Sequence, residues 1–154
     1  MPIYENNEDR KRQSEAVKII RKRMPSRKVV ETPEIFRINH DFVILNHLNL
    51  KVGIGEIKCR NYPAEFFKTN PWLFEIERIR SLYHAGEKVG FKVMLVLYTK
   101  DNLVYWVALK TLLENWGSLE NAPDYMMKND HGDQPADKSG ILIPFELLNL
   151  IEDE

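Results

Sequence analysis

The chain has 154 residues, of which 44% are hydrophobic and 29% are charged, and its formal net charge is −1. This length corresponds to about one domain, and this composition excludes wholesale disorder, a collagen-like repeat and a disulfide scaffold. Cys59 is the single cysteine, which excludes an intrachain disulfide and a CxxC metal or redox pair. We therefore predict one domain over 1–154, with its core at about 9–109 and an acidic loop and closing strand–helix unit over 116–154.

The predicted elements alternate between helix and strand along the chain. Ala16, Val17 and Ile20 recur at helical spacing in the first segment, and Pro25 ends that helix. Later segments are rich in the β-branched and aromatic residues that favour strands, and Gly86 stops a second helix. In chain order the patterns predict a helix, two strands, a helix and two strands at 9–24, 34–45, 50–59, 71–84, 91–98 and 103–109. The expected fold class is α/β, with a mixed sheet of about four to five strands flanked by helices.

The C-terminal part of the chain has a different character. Residues 116–140 are rich in Gly, Asn, Asp and Pro and lack periodicity, so we expect a long acidic loop there. Residues 141–151 predict a short strand followed at Pro144 by a helical turn, since proline is well tolerated at a first helical position. The apolar run 93–98 falls far short of the roughly 20 residues that a membrane helix needs. The N-terminus has no apolar stretch after its basic residues, so we predict a cytoplasmic protein without a secretory signal.

Charge is separated along the chain. Residues 8–28 contain nine basic and three acidic side chains, whereas residues 114–154 contain ten acidic and two basic ones. A basic segment of this density is typical of a phosphate-binding surface, because each Lys or Arg that replaces a condensed counterion gains the entropy of its release. The alternative is a solvated helix face without a partner.

One group of residues points to chemistry. Glu56 and Lys58 are two apart on a predicted strand and share one face, while Ile57 points into the core. In a pair of antiparallel strands, the residue numbers of any two facing residues add up to the same sum. If Asp41 faces Glu56, the midpoint between the two strands falls inside the polar turn 46–50. Without a bulge, the two carboxylates face each other with their Cβ atoms about 4.5–5.5 Å apart.

Two carboxylates at that separation repel each other unless a cation lies near them. Their hard oxygen atoms suit Mg²⁺ or Mn²⁺, which bind through one or two carboxylates together with waters and a substrate phosphate. The ammonium group of Lys58 would hold or help to deprotonate an attacking water beside a phosphodiester. The pattern therefore predicts a metal site for phosphoryl chemistry.

These residues resemble the PD-(D/E)xK, or restriction-endonuclease-like, nuclease superfamily. Its core is a helix, a strand hairpin bearing Asp and then Glu-x-Lys, a helix and a further strand, and the resemblance covers about 9–109. The family pattern matches Asp41, Glu56 and Lys58. His40 occupies the position of the proline for which the motif is named. The basic residue after Glu-x-Lys, in the run EIKCR, is similar to resolvase-like (Holliday junction) and phage-type members.

The resemblance implies metal-dependent hydrolysis of DNA phosphodiester bonds, as by a structure-selective endonuclease of recombination, repair or phage DNA processing. Mg²⁺ or Mn²⁺ would be held by Asp41, Glu56 and the carbonyl of Ile57, and Lys58 would orient the water. An acidic residue of the first helix would complete the site, with Glu15 as the best placed candidate and Glu8 as the alternative. The implied location is the cytoplasm of a bacterium or of a phage-infected host. The expected DNA contacts are Arg12, Lys18, Arg21, Lys22 and Arg60.

Two other functions fit the same sequence. The first is a nucleic-acid-binding module that keeps the fold without catalysis, and the second is a structural homodimer that joins the acidic C-terminal unit to the basic helix of a neighbour. No organic cofactor is expected, because the Gly53-x-Gly55 pair precedes a strand residue and matches neither a phosphate loop nor a dinucleotide fingerprint. Tyr62 and Phe66, just past the Glu-x-Lys strand, could meet nucleic acid.

Overall fold

The structure is a computed structural model that describes residues 7–26, 28–32, 40–118, 120, 125–128 and 135–152. The first half of the predicted strand 34–45 and parts of the predicted loop 116–140 lie outside these residues. Among the helices in the described ranges, none is both long enough and apolar enough to cross a membrane.

From the N-terminus onward, helices separate single strands or runs of strands. They are α1 (Asn7–Arg23), β1 (Lys28–Glu31), β2 (Phe42–Leu45), β3 (Lys51–Cys59), α2 (Ala64–Thr69), β4 (Trp72–Glu75), α3 (Ile76–Ala85), β5 (Lys92–Tyr98), β6 (Val104–Ala108), α4 (Leu109–Trp116), β7 (Tyr125–Lys128), β8 (Pro135–Ile143) and β9 (Asn149–Leu150). Short 3₁₀ turns at Glu87–Val89 and Phe145–Leu147 precede β5 and β9.

A six-stranded mixed sheet forms the centre, in the order β1-β2-β3-β5-β6-β9. The first three strands are antiparallel neighbours, β3 and β5 are parallel, and β5, β6 and β9 are antiparallel again. The α/β class and the mixed sheet are thus confirmed. The sheet has six strands instead of four to five, because β1 and β9 are added at its edges.

The β2–β3 hairpin has the register that the sequence predicts. Phe42 pairs with Gly55 and Ile44 with Gly53, so the next position outward brings Asp41 beside Glu56. A bulge shifts the pairing only beyond Ile44, towards the turn. That turn is held by the Asn46 side chain, which accepts hydrogen bonds from the backbone N–H groups of residues 48 and 50.

Helices cover both faces of the sheet. On one face the apolar stripe of α1, including Ala16 and Ile20, packs on Phe42, Ile57 and Val96. The opposite face carries α3 and α4 together with β4 and β8. Side chains alternate across a strand, so residues adjacent in β3 belong to different cores. We call these the α1 face and the α3 face.

The predicted helix over 71–84 is wrong in its first turn. Residues 72–75 form β4, which pairs with β8 in a second sheet of order β4-β8-β7, and α3 begins at Ile76. The reason is visible in the side chains, since Trp72 and Phe74 are both buried while the residues between and after them are half-buried. Alternate burial of this kind has the period of a strand, and β8 supplies the backbone partner that the local sequence does not show.

The predicted acidic loop over 116–140 is also wrong in part. Residues 125–128 and 135–140 are strands of the second sheet, and α4 ends at Trp116. The closing unit is confirmed in outline, because β8 ends at Ile143 and a 3₁₀ turn begins after Pro144. Its last residues then form β9 against β6, a pairing that periodicity did not predict.

Candidate metal and nucleic-acid site

The candidate site lies where β3 passes the N-terminal part of α3. Glu56 and Lys58 share the α3 face of the strand, and Ile57 between them is buried on the α1 face. This is the alternation predicted from the sequence. Strand β3 therefore carries an apolar core residue and two charged groups within three consecutive positions.

Glu56 is buried, with 3% of its surface exposed, and two cations contact its carboxylate. Nη2 of Arg78 lies 2.5 Å from Oε2, and Nζ of Lys58 lies 3.4 Å from Oε1. Removing a carboxylate from water is unfavourable unless it is paired and hydrogen-bonded, and the two cations supply that pairing. Arg78, on α3, is therefore part of the site.

Asp41 is buried at the point where the β2–β3 ladder ends. Its backbone N–H donates to the carbonyl of Gly55 over 2.8 Å, and its Oδ2 accepts the backbone N–H of Ile57 over 2.7 Å. The Asp41 carboxylate thus accepts a backbone N–H of β3 that a carbonyl of a neighbouring strand would otherwise accept. This bond fixes Asp41 beside the Glu-x-Lys segment, as the predicted register requires.

The carbonyl of Ile57 faces α1. Nε2 of Gln13, a buried side chain, lies 3.4 Å from that oxygen. Sequence reasoning missed Gln13, although its position three residues before Ala16 places it on the buried stripe of the helix. It missed Arg78 as well, because nothing near position 78 indicates that α3 crosses Glu56.

Glu15, the predicted fourth site residue, has a different neighbour. Its Oε2 accepts a hydrogen bond from the hydroxyl of Tyr98 over 3.4 Å. Among the described residues there is no group of three or more His, Cys, Asp and Glu side chains that could hold a metal. The hairpin therefore brings Asp41 and Glu56 together, and Glu15 is not gathered with them.

The predicted DNA contacts fall into two groups. Arg12 and Arg21 fasten α1 to the sheet, by bonds of 2.7 Å from Arg12 to the carbonyl of Thr99 and from Arg21 to the carbonyl of Val29. Lys18 and Lys22 are exposed on α1. Half-buried Arg60 follows β3 directly, where its guanidinium donates to the carbonyl of Cys59.

Two titratable groups beside the site have shifted pKa values. Burial raises the pKa of the Cys59 thiol to about 12 from an ordinary 9.0. Burial also lowers the pKa of His40, and the nearby charges of Lys51 and Arg78 act in the same direction while Glu56 opposes them. The Nδ1 atom of His40 lies 2.8 Å from the hydroxyl of Thr32. Both groups are therefore favoured in their uncharged forms.

The donor set fits Mg²⁺ or Mn²⁺ in its chemistry. Asp41 and Glu56 are adjacent carboxylates, and hard divalent cations take such oxygen ligands, while the third predicted donor, the Ile57 carbonyl, is bonded to Gln13 of α1. Each carboxylate has one oxygen engaged at short range, by the N–H of Ile57 and by Arg78. A cation at this position would have to share Glu56 with Arg78.

Comparison of the chain with protein-family profiles, curated proteins and solved structures finds no match.

Proposed function

We propose that this protein is a metal-dependent nuclease that hydrolyses DNA phosphodiester bonds. The observation that carries the proposal is the cross-strand position of Asp41 beside Glu56, with the ammonium group of Lys58 3.4 Å from the Glu56 carboxylate. Two carboxylates and a lysine in one place are the groups needed to hold a divalent cation and to position a water for attack on phosphate.

The order of elements supports the same proposal. The chain runs from a helix into an antiparallel β1-β2-β3 meander, and through α3 into β5, which lies parallel to β3. This order is compatible with the helix, hairpin, helix and strand of the PD-(D/E)xK core that the sequence resembles, with β1 added before the hairpin and α2 and β4 before α3. Asp41 directly precedes the second strand of the meander, and the Glu-x-Lys lies on its third strand.

Each residue has a role that follows from its contacts. Asp41, Glu56 and the Ile57 carbonyl would hold Mg²⁺, which when bound supplies positive charge to stabilise the phosphate as negative charge develops on it. The Lys58 ammonium, 28% exposed in its side chain, is close enough to solvent to hold a water and to stabilise its deprotonated form. When no metal ion is bound, Arg78 orients the Glu56 carboxylate and balances its negative charge.

The basic residues give the protein its DNA-binding surface. Lys18 and Lys22 project from α1 into solvent, and Arg60 stands just after the Glu-x-Lys strand. Phosphate contacts of this kind position the substrate without reading its sequence. Arg12 and Arg21 contribute charge, but they also hold α1 against the sheet.

Cleavage assays with purified protein test the proposal. Plasmid, linear duplex, single-stranded and branched DNA are incubated with Mg²⁺, with Mn²⁺ and with EDTA. We expect divalent-cation-dependent cleavage that falls at least about 100-fold in Glu56→Gln and in Lys58→Ala. Lys88→Ala is the matched control, because this exposed lysine lies at the opposite end of β5 from the site. Cleavage that survives both site substitutions contradicts the proposal.

A non-catalytic nucleic-acid-binding module is the second candidate. The Arg78–Glu56 contact favours it, because Glu56 is already compensated without a metal. Charge reversal at the exposed Lys18 and Lys22, combined with a salt titration and with cleavage assays in Mg²⁺ and Mn²⁺, separates the two functions. Loss of salt-dependent DNA binding in that variant, with no turnover by the unmodified protein in Mg²⁺ or Mn²⁺, supports the module.

A further inference from the structure

We propose that the ring of Tyr62 is a stacking platform for an unpaired DNA base, so that the substrate carries single-stranded nucleotides beside the cleaved bond. This inference rests on the proposed nuclease function, because it deepens the description of that same site. Tyr62 is 48% exposed and lies four residues after Lys58. Four extended residues span at most about 14 Å, so one DNA strand could contact both side chains.

The Tyr62 ring is already held in a stacking geometry. It lies parallel to Phe66, with ring centroids 4.0 Å apart and an interplanar angle of 9°. Phe67 meets both of these rings edge-on. One face of the Tyr62 ring therefore packs on Phe66, while the residue as a whole is 48% exposed.

The backbone that carries Tyr62 is fixed to the end of β5. The N–H of Arg60 donates to the carbonyl of Tyr98, and the N–H of Lys100 donates to the carbonyl of Tyr62, each over 2.9 Å. Asp101 accepts the N–H of Ala64 at the start of α2. An aromatic ring on a rigid segment loses little conformational freedom when a base stacks on it.

The surroundings of Tyr62 are basic. Arg60, Lys68 and Lys100 lie within this part of the chain, against the acidic Glu65 and Asp101. Glu65 forms an ion pair with Lys68, and Asp101 is engaged with Ala64. The exposed side chain of Lys100, whose backbone N–H donates to the carbonyl of Tyr62, therefore supplies positive charge beside a stacked base, the combination typical of single-strand binding.

A purely structural role explains only part of this arrangement. Tyr62 immediately precedes Pro63, the N-cap of α2, and Phe67 is four residues past that cap, so their contact is a hydrophobic staple. A staple needs an apolar side chain at position 62 and not an aromatic one that is half exposed. Leucine at this position would keep the staple and remove the stacking surface.

The occupant is an unpaired base, because a base pair inside a duplex has no free face. In duplex DNA each base is stacked on both sides, whereas single strands, flaps, forks and frayed ends present an open π-face. Stacking of this kind tolerates any base, so the platform would select the structure of DNA and not its sequence.

The experiment compares Tyr62→Leu with Tyr62→Phe and the unmodified protein in EDTA, so that no cleavage occurs. Fluorescence anisotropy measures the Kd for oligo-dT, for an abasic strand of equal length and for a blunt duplex. We expect Tyr62→Leu to weaken oligo-dT binding about 10-fold and Tyr62→Phe to leave it nearly unchanged. Binding to the abasic strand and to the duplex stays the same in all three proteins. The proposal is contradicted if Tyr62→Leu binds oligo-dT as tightly as the unmodified protein does. It is also contradicted if Tyr62→Leu loses the same factor of affinity for all three DNAs.

A second measurement does not depend on the folding of a variant. Oligonucleotides with 5-iodouracil are photocrosslinked to the unmodified protein and the attached residue is identified by mass spectrometry. We expect the crosslink at Tyr62, and crosslinks elsewhere without Tyr62 contradict the proposal. Both measurements omit the metal, so they test base stacking on Tyr62 independently of catalysis. The Glu56 and Lys58 variants test catalysis separately.

Discussion

The two faces of strand β3 are built on different principles. On the α1 face, Gly55 lies so close to the ring of Phe42 that a Cβ atom added there would be 1.9 Å from it. On the α3 face, Glu56 and Lys58 are paired by charge, with Arg78 supplied from the helix above. One face is therefore specified by shape and the other by electrostatics, although their residues alternate along a single strand.

This difference predicts which substitutions affect folding and which affect the proposed site. Substitutions on the α1 face should affect folding first, because packed cores tolerate extra volume poorly. Substitutions on the α3 face should affect the site first, provided that the charge of Glu56 remains compensated. The following predictions test this division, beginning with the largest expected effect.

Gly55→Ala tests the shape-specified face. The added methyl group meets the Phe42 ring, so the ring or the β2–β3 hairpin must move, and we expect a loss of about 3 kcal/mol or more in unfolding free energy. Urea denaturation followed by circular dichroism measures the loss. Gly90→Ala is the control, because nothing lies near its Cβ position and only its φ of 92° opposes a side chain, at about 1–2 kcal/mol. A smaller loss for Gly55→Ala than for Gly90→Ala would show that the hairpin is not tightly packed.

Arg78→Met tests the charge-specified face. It leaves Glu56 buried with a weaker set of partners, and we expect the unfolding free energy to fall by about 3 kcal/mol at pH 7. The double variant Glu56→Gln with Arg78→Met should recover part of that loss, since no buried charge remains.

The same variant tests the metal site. With Arg78 absent, Mg²⁺ should raise the midpoint of thermal unfolding of Arg78→Met by binding beside Asp41 and Glu56. It should have no such effect on the double variant, in which Glu56 is neutral. Equal responses of the two proteins to Mg²⁺ would mean that these carboxylates do not hold the cation.

Asp101→Ala tests a contact outside both faces. Asp101 accepts bonds from the hydroxyl of Thr99 and the N–H of Ala64, which hold its pKa below the ordinary 3.8. A group with a depressed folded-state pKa contributes stability above pH 3.8 that is lost as the pH falls through the folded value. We expect a loss of about 1 kcal/mol at pH 7 in denaturant titrations. The difference in unfolding free energy between the variant and the unmodified protein should become smaller below pH 3.8.

Substitution of Cys59 has the smallest expected effect at neutral pH, because its thiol influences stability only above about pH 9. Its thiol ionises near pH 9.0 when unfolded and near 12 when folded, so the unfolding free energy should decline as the pH rises from about 9 to 12. Cys59→Ala should show less of this decline. At pH 8 we also expect iodoacetamide to alkylate Cys59 more slowly in the folded protein than in urea, and equal rates would contradict the raised pKa.

Local pattern was sufficient for the centre of the fold. Helix α1 follows from the stripe at Ala16 and Ile20, and the hairpin register follows from the position of a polar turn between two apolar strands. The division of Glu56 and Ile57 between two faces follows from the period of a strand. These features depend on residues close together in sequence, which is why spacing alone predicts them.

The pairing of strands that are distant in sequence could not be predicted from local patterns. Residues 72–75 satisfy a helical pattern as well as a strand pattern, and β8, some 65 residues later, determines which forms. Strands β1 and β9 are short segments that become ordered because β2 and β6 offer open edges. Short strands of this kind have no stability without the sheet that they join.

The amino-acid sequence by itself determined which carboxylates meet, because Asp41 and Glu56 are linked by a short hairpin whose geometry is nearly invariant. Only the tertiary structure decided what surrounds them. Arg78 reaches Glu56 through the crossover helix, and Gln13 reaches Ile57 from the N-terminal helix. Such contacts depend on how whole helices dock on a sheet, which is governed by packing across the molecule, so the spacing of neighbouring residues does not predict the partners.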